Sequence, residues 1–395
     1  MPDLRTLSRY REQFEKELFN SVLPFWENHS PDKVNGGYFN CLDRDGRVFD
    51  TRKHIWLQGR QVWMFSTLYR TVEQRPEWLD IAVSGIRFLR DHAIRNDGRV
   101  WFSLTADGKP VQMQRKIFSE CFYIMALAGF SRATGEGRYL IEAENLLQQV
   151  WEWSSDLSKV GRPVHEGQIP SSQLAIPMIL LNLIEEVAGD TYQRYSPEID
   201  DSIRRMLLHV HEDRQLVFET VAPDGSFIDN PDGRLLNPGH AIEAGWFLQH
   251  WAQRLDDPKL TETAVNMVRW SDKAGWDTES GGLFYFLDSG NFSPTSLEWS
   301  MKLWWPHCEA MYAYLLNYRL TRRKEDWLAF SRVTDYAFSH FPDPDYGEWF
   351  GYLDRNGTVT HRFKGGPYKG CFHVPRALLM CWNTLKELEE LTADS

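Results

Sequence analysis

The sequence predicts an all-α fold, a closed (α/α)6 barrel with short β-hairpins in the loops at one mouth, and three observations lead there. Six stretches, beginning at residues 56, 117, 174, 241, 304 and 374, are apolar nearly all round. A helix carries that pattern when it is buried on every side. Between them run stretches with one apolar stripe and one polar face, as suits a helix that covers a core and faces water. The starting points recur every 57 to 70 residues, so each repeat is one helical pair.

In order along the chain, an outer helix is expected over 7–26 and the first inner one over 56–69. The outer stretches 79–94, 140–153, 199–210, 260–270 and 327–338 then alternate with inner ones over 117–130, 174–184, 241–251, 304–316 and 374–385. An open solenoid is the alternative, but it needs polar capping repeats. The last repeat ends instead in the apolar run VPRALLMCW (374–382), which favours closure. The loops recur as well: YFNCLDRDGRV (38–48) matches WFGYLDRNGTV (349–359), and GGYF (36–39) returns as GGLF (281–284). The Asp-Gly and Asn-Gly pairs in these segments are hairpin turn signals. Further turns are expected at Asp97-Gly98, Asp107-Gly108, Asp224-Gly225 and Asp232-Gly233. No linker, charge block or low-complexity run divides the chain, so residues 1–395 read as one domain.

Composition narrows the function. The balance of 44 Lys and Arg against 55 Asp and Glu gives −11, without the basic patch of a nucleic-acid binder. No run approaches the roughly 18 apolar residues that span a bilayer, and the N-terminus is too polar for a signal peptide. Five cysteines, odd in number and without a CxxC pair, read as a reduced, cytoplasmic protein. The 17 tryptophans suit sugar faces as well as a large core.

Polar residues mark where chemistry would sit. The inner stretches carry them near their starts: Arg60, Ser119-Glu120, Ser171-Ser172-Gln173, His240 with Glu243, His307 with Glu309, and His373. If the inner helices run parallel, these ends converge on one pocket at one mouth, where helix N-termini favour developing negative charge. Glu243 lies three residues after His240 and reads as its orienting partner, or as the structural partner of an Arg. Trp304 and Trp305 divide into a core residue and a pocket wall, Trp305 being taken as the wall. Tyr38, at the start of the first hairpin, is a candidate substrate contact. His209 and His211, two apart on a striped stretch, read as surface residues. No metal motif and no phosphate-binding Gly-rich loop is present. Two histidines suit movement of a carbon-bound proton near neutral pH, and an Arg beside the oxygen would stabilise an enolate. Paired carboxylates among Glu120, Glu243 and Glu309 leave a glycoside hydrolase open, and a binding protein without activity is the third possibility.

The segments WLQGRQVWM (56–64), FSECFY (118–123), NPGHAIEAGW (237–246), GGLFYF (281–286), LEWSMKLWWPHCEAM (297–311), GEWFGYL (347–353) and KGGPYKGCFHVPR (364–376) closely resemble the N-acylglucosamine 2-epimerase family. The likeness runs almost end to end. It implies the (α/α)6 barrel that this family shares with cellobiose 2-epimerases and aldose–ketose isomerases. It also implies interconversion of N-acetyl-D-glucosamine and N-acetyl-D-mannosamine in a homodimer, with ATP as an activator that is not consumed. The resemblance carries essential histidines onto His240 and His373, with Arg60 and Glu309 as their neighbours. The third inner stretch reads LAIPMILLNL and lacks the further histidine of the isomerase and cellobiose branches, which fits the N-acyl branch. For the ATP phosphates the basic loop KVGRP (159–163) offers Lys159 and Arg162.

Overall fold

A computed structural model describes residues 2–163 and 165–393. Its helices begin with α1 (Leu4–Glu17), α2 (Leu23–His29), α3 (Ile55–Thr71), α4 (Pro76–His92), α5 (Phe118–Thr134), α6 (Gly137–Ser155) and α7 (Ala175–Ala188). They continue with α8 (Ser196–Leu207), the short α9 (Pro231–Arg234), α10 (Pro238–Arg254), α11 (Pro258–Gly275), α12 (Trp304–Thr321), α13 (Lys324–His340) and α14 (His373–Ala393). The stretches apolar all round are the inner ring, in which α3, α5, α7, α10, α12 and α14 each pack on the next. The ring closes where Phe372, at the entrance to α14, meets Trp63 of α3 with ring centroids 5.5 Å apart. The striped helices lie outside: α4 on α3, α6 on α5, α8 on α7, α11 on α10, α13 on α12 and α1 on α14. The stripe is plain in α8, which buries Ile199, Ser202, Ile203 and Met206, one face of a 3.6-residue period. This is the (α/α)6 barrel, and among the described residues no helix is long and apolar enough to cross a membrane.

Short antiparallel strands zip the entrance of one inner helix to the next. Lys53–His54, before α3, pair with Ser103–Leu104, before α5. Ser172–Gln173 pair with Thr220–Val221, Leu235–Leu236 with Leu287–Asp288, and Lys302–Leu303 with Tyr352–Leu353. A buried ion pair reinforces three of the loops. Lys53 reaches Asp32 at 2.8 Å, Lys302 reaches Asp277 at 3.0 Å, and Lys364 reaches Asp343 at 3.0 Å. In each loop the Asp starts a turn in which the residue four positions on, Gly36, Gly281 or Gly347, donates back to its carbonyl. All three glycines take a positive φ, which a residue without Cβ adopts at no cost. A buried pair of this kind adds little net stability but penalises any other arrangement, because either charge alone would be stranded. The loops at this mouth are thereby held in place.

Three expectations need correction. The outer stretch 7–26 is broken by a wider turn over Leu18–Val22 before α2. Pro24 has no N–H to continue the ladder, and Leu23 donates five residues back to Leu18 instead. The stretch 199–210 stops as a helix at Leu207, and His209 is fully buried rather than on the surface. Its Nδ1 donates to the Phe218 carbonyl at 2.9 Å. Asp232-Gly233 falls inside α9, which Asn230 caps by accepting from Gly233 at 2.7 Å.

Candidate active site

A cavity of about 550 Å³ opens at this mouth. Its floor comes from the N-terminal turns of α3 (Trp56, Arg60), α10 (His240, Glu243), α12 (Trp304, Trp305) and α14 (His373). The loops add Tyr285, Glu298, Tyr352, His361 and Tyr368 to its walls. The N-terminal ends of four inner helices therefore share one cavity.

The segment NPGH explains how His240 reaches it. Asn237 caps α10 by accepting from the His240 N–H at 3.2 Å, and Pro238 sits where a helix needs no donor. Gly239 leaves room for Trp305: a Cβ there would lie 2.4 Å from the indole. His240 thus lies against Trp305 with ring centroids 5.3 Å apart, and its Nδ1 donates to both oxygens of Glu219, at 3.0 and 3.1 Å. Burial opposes a charge on the imidazole, but Glu219, with Glu243 and Glu309 farther off, outweighs it and raises the His240 pKa above 6.5.

His373 is built differently. It opens α14, three residues before Arg376, so both project from one face. Its Nδ1 donates to Glu309 at 2.7 Å. The Arg376 guanidinium donates to Glu309 and Glu243, each at 2.7 Å, and Trp246 Nε1 supplies the other Glu309 oxygen at 2.9 Å. Burial, reinforced by Arg60 and Arg376, holds the His373 pKa well below 6.5. The ring also leans on Trp305, at 5.8 Å, so one indole touches both histidines. Glu243, Glu309 and His373 bring ligand atoms within 4.8 Å of one another. That spacing would suit a cation, but the Arg376 guanidinium already bonds both carboxylates.

Arg60 is packed among Phe122, Phe372 and Trp56, its guanidinium 4.0, 4.9 and 5.0 Å from the ring centres. Gly59 beside it permits this approach, since a Cβ would meet the Phe122 carbonyl oxygen at 2.2 Å. The nearby carboxylates are taken by Arg376, and the Arg60 Nε is buried without a hydrogen-bond partner. Burial draws its pKa down to about 9, which leaves it charged at neutral pH. A cavity-lining cation without a carboxylate partner is suited to an oxygen that gains negative charge.

The cavity thus gathers Arg60, His240, Glu243, Trp305 and His373 of the residues expected there. Glu309 stands behind His373 at 2% exposure, its oxygens occupied, so it orients the imidazole and does not face a sugar hydroxyl. Glu243 does line the cavity but bonds Arg376, and Glu219 orients His240 in its place. Tyr38 is fully buried away from the cavity, its hydroxyl donating to the Ile81 carbonyl at 2.7 Å. Gln58 brackets the Tyr38 backbone from both sides, which turns the ring toward α4. His307 is structural: its Nδ1 donates to Leu303 and its Nε2 accepts from the Leu283 N–H. Glu120 pairs with Arg99 at 2.7 Å. Ser171, Gln173 and Arg162 border a second cavity of about 410 Å³, with Glu219 in its wall. Lys159 is exposed on the same loop as Arg162. Glu219 and Arg376 were missed; Arg376 had a signal, lying one helical turn beyond His373, and Glu219 had none.

A family model described as N-acylglucosamine 2-epimerase (GlcNAc 2-epimerase) matches residues 37–377. The N-acylglucosamine 2-epimerases of Rattus norvegicus and Homo sapiens are each 46% identical to the chain over 392 residues, covering 97% of it and 93% and 92% of themselves. Among solved structures, cellobiose 2-epimerase from Spirochaeta thermophila superposes with a TM-score of 0.83 at 22% identity, covering 97% of this chain and 98% of its own. That likeness bears on the fold.

Proposed function

Because the chain belongs to the N-acylglucosamine 2-epimerase family, we propose that it interconverts N-acetyl-D-glucosamine and N-acetyl-D-mannosamine at C2 of the ring-opened sugar. One histidine removes the C2 proton, Arg60 stabilises the enolate at the C1 oxygen, and the other histidine returns a proton to the opposite face. The observation that carries this reading is the pair His240 and His373. Each has its Nδ1 held by a carboxylate, both line one cavity, and both lean on Trp305. A glycoside hydrolase would need a free pair of carboxylates across the bond, whereas Glu243 and Glu309 here share Arg376.

The test is turnover of N-acetylmannosamine in deuterated water. Deuterium at C2 of the product supports the reading, and absence of exchange with either sugar refutes it. Replacing His240 or His373 with Asn should lower turnover by about 10²–10⁴-fold, the worth of a positioned acid or base.

The proposal has two further parts, a homodimer and activation by ATP without its consumption. Proton movement at C2 needs no phosphoryl transfer, so such an activator must bind the competent state more tightly than the idle one. Lys159 and Arg162, both exposed on one loop, are the candidate contacts for its phosphates. Activity measured against ATP while ADP is followed separates activation from consumption, and sedimentation gives the assembly state.

A further inference from the structure

We propose that Glu219 is a positioning residue that keeps the resting proton of the histidine pair on His240, so that His240 starts as the donor and His373 as the acceptor for the epimer whose C2 proton faces His373. The inference rests on the epimerase reading of the cavity and deepens it.

Glu219 is fixed from several sides. Its carbonyl accepts from the Leu174 N–H at 3.0 Å, at the entrance of α7, and the next residue, Thr220, pairs with Gln173. The preceding Phe218 is fully buried, its carbonyl held by His209. The carboxylate so anchored gives both oxygens to His240 Nδ1. That contact fixes the tautomer and leaves Nε2 to face the cavity.

The surroundings of the two rings differ in charge. His240 faces Glu219 from the bend before the Thr220–Val221 strand, Glu243 from its own helix, Glu309 from α12 and His373 from α14. His373 faces Arg60 from α3 and Arg376 from its own helix, beside Glu309 and Glu243. One imidazole is thus set among carboxylates and the other against guanidiniums, and a single proton shared by the pair settles on the first. In one direction His373 takes the C2 proton and His240 gives its own to the other face. The pair ends with the proton on His373, and solvent exchange restores the start.

The test uses Glu219→Gln and Glu219→Ala in the full chain, each checked for folding by circular dichroism. The amide of Gln still accepts from Nδ1 but carries no charge. The alkaline limb of the kcat/KM profile, set by loss of the His240 proton, should therefore move down by about one unit or more. The acid limb, set by His373, should stay in place, and KM should change by less than about threefold. In Glu219→Ala kcat should fall by about 10²-fold or more, because the ring loses its orientation as well. The His240 titration, followed by NMR of labelled histidine without substrate, should show the same downward move in Glu219→Gln. That measurement stands even if deuterium exchange refutes the epimerase reading. Activity lost with both limbs unmoved would make Glu219 merely structural and overturn the proposal, as would a wild-type profile or an unchanged His240 titration.

Discussion

Gly239→Ala is a one-methyl test of the cavity's central contact. A Cβ at 239 would lie 2.4 Å from Cη2 and 2.5 Å from Cζ3 of Trp305, and 3.1 Å from Cγ of Pro306. Carbon atoms settle at about 3.5–4.0 Å, so the indole must withdraw by about 1 Å. It cannot withdraw freely, because its ring centroid is 5.3 Å from that of His240 and 5.8 Å from that of His373. A displacement of about 1 Å in a reacting constellation costs about 10² in rate, and kcat should fall by that order. For stability, Ala gains about 1 kcal/mol over Gly inside a helix, while overpacking costs about 1–3 kcal/mol. The net should be a small loss. Gly137→Ala in α6 is the control, since a Cβ there meets nothing within 4 Å; it should keep full kcat and lose no stability. The assay is steady-state epimerisation of both sugars, with urea unfolding followed by circular dichroism. A Gly239→Ala protein with wild-type kcat and raised stability would refute the packing on which the site is built.

Two more predictions follow from the same geometry. Arg60→Lys should lower kcat while leaving urea stability close to wild type, because a point-like ammonium cannot replace a fork aimed at oxygen and Arg60 holds no carboxylate; a stability loss with unchanged kcat would make it a packing residue. Burial pushes the His307 pKa down to about 3, and His54 is likewise held at about 4. The unfolded chain binds these protons near pH 6.5 and the folded one does not, so the contribution of these two groups to stability should be level above that pH and fall as pH drops toward 4 and 3. His307→Gln should flatten that fall in unfolding experiments run from pH 7 to 4; an unchanged slope would exclude His307 as a contributor.

The barrel is legible in the sequence because inner and outer helices differ in a property that composition records, the number of faces each buries. α12 is buried along nearly its whole length and α8 on one stripe, and each pattern needs no partner to be read. The helix-borne part of the site is legible for a related reason. A polar residue at the start of an otherwise apolar helix has few places to be, and His240, His373 and Arg60 are all such residues. Tertiary charge balance decides the rest. Spacing put Glu243 on one face with His240, yet a buried carboxylate settles on the strongest cation within reach, and Arg376 arrives from α14, 133 residues away. Once Glu243 is taken, His240 needs another acceptor, and Glu219 comes from the bend just before the Thr220–Val221 strand, whose position depends on the α7 entrance, not on any local pattern.

The same limit hid the turn that opens the third loop of the mouth, although the hairpin after it, 349–359, was legible as the match of 38–48. GGYF and GGLF were legible as a repeat, but the third copy reads Gly347-Glu348-Trp349-Phe350 and breaks the match at its second position. There Glu348 keeps a positive φ of 54°, where Gly37 and Gly282 have 67° and 73°. An L residue bears that conformation at a cost of about 1–3 kcal/mol and persists in it when its surroundings over-determine it. Here they do: Glu348 accepts from Trp26 Nε1 and from Lys369 Nζ, each at 2.6 Å, both in the buried interior. Lys369 lies four residues before His373, in the loop that also carries Tyr368 to the cavity wall. A glycine at 348 would relieve the backbone but strand the Lys369 ammonium and free that loop. The departure from the repeat is therefore where the third loop is tied to the entrance of α14, and so to one of the two histidines.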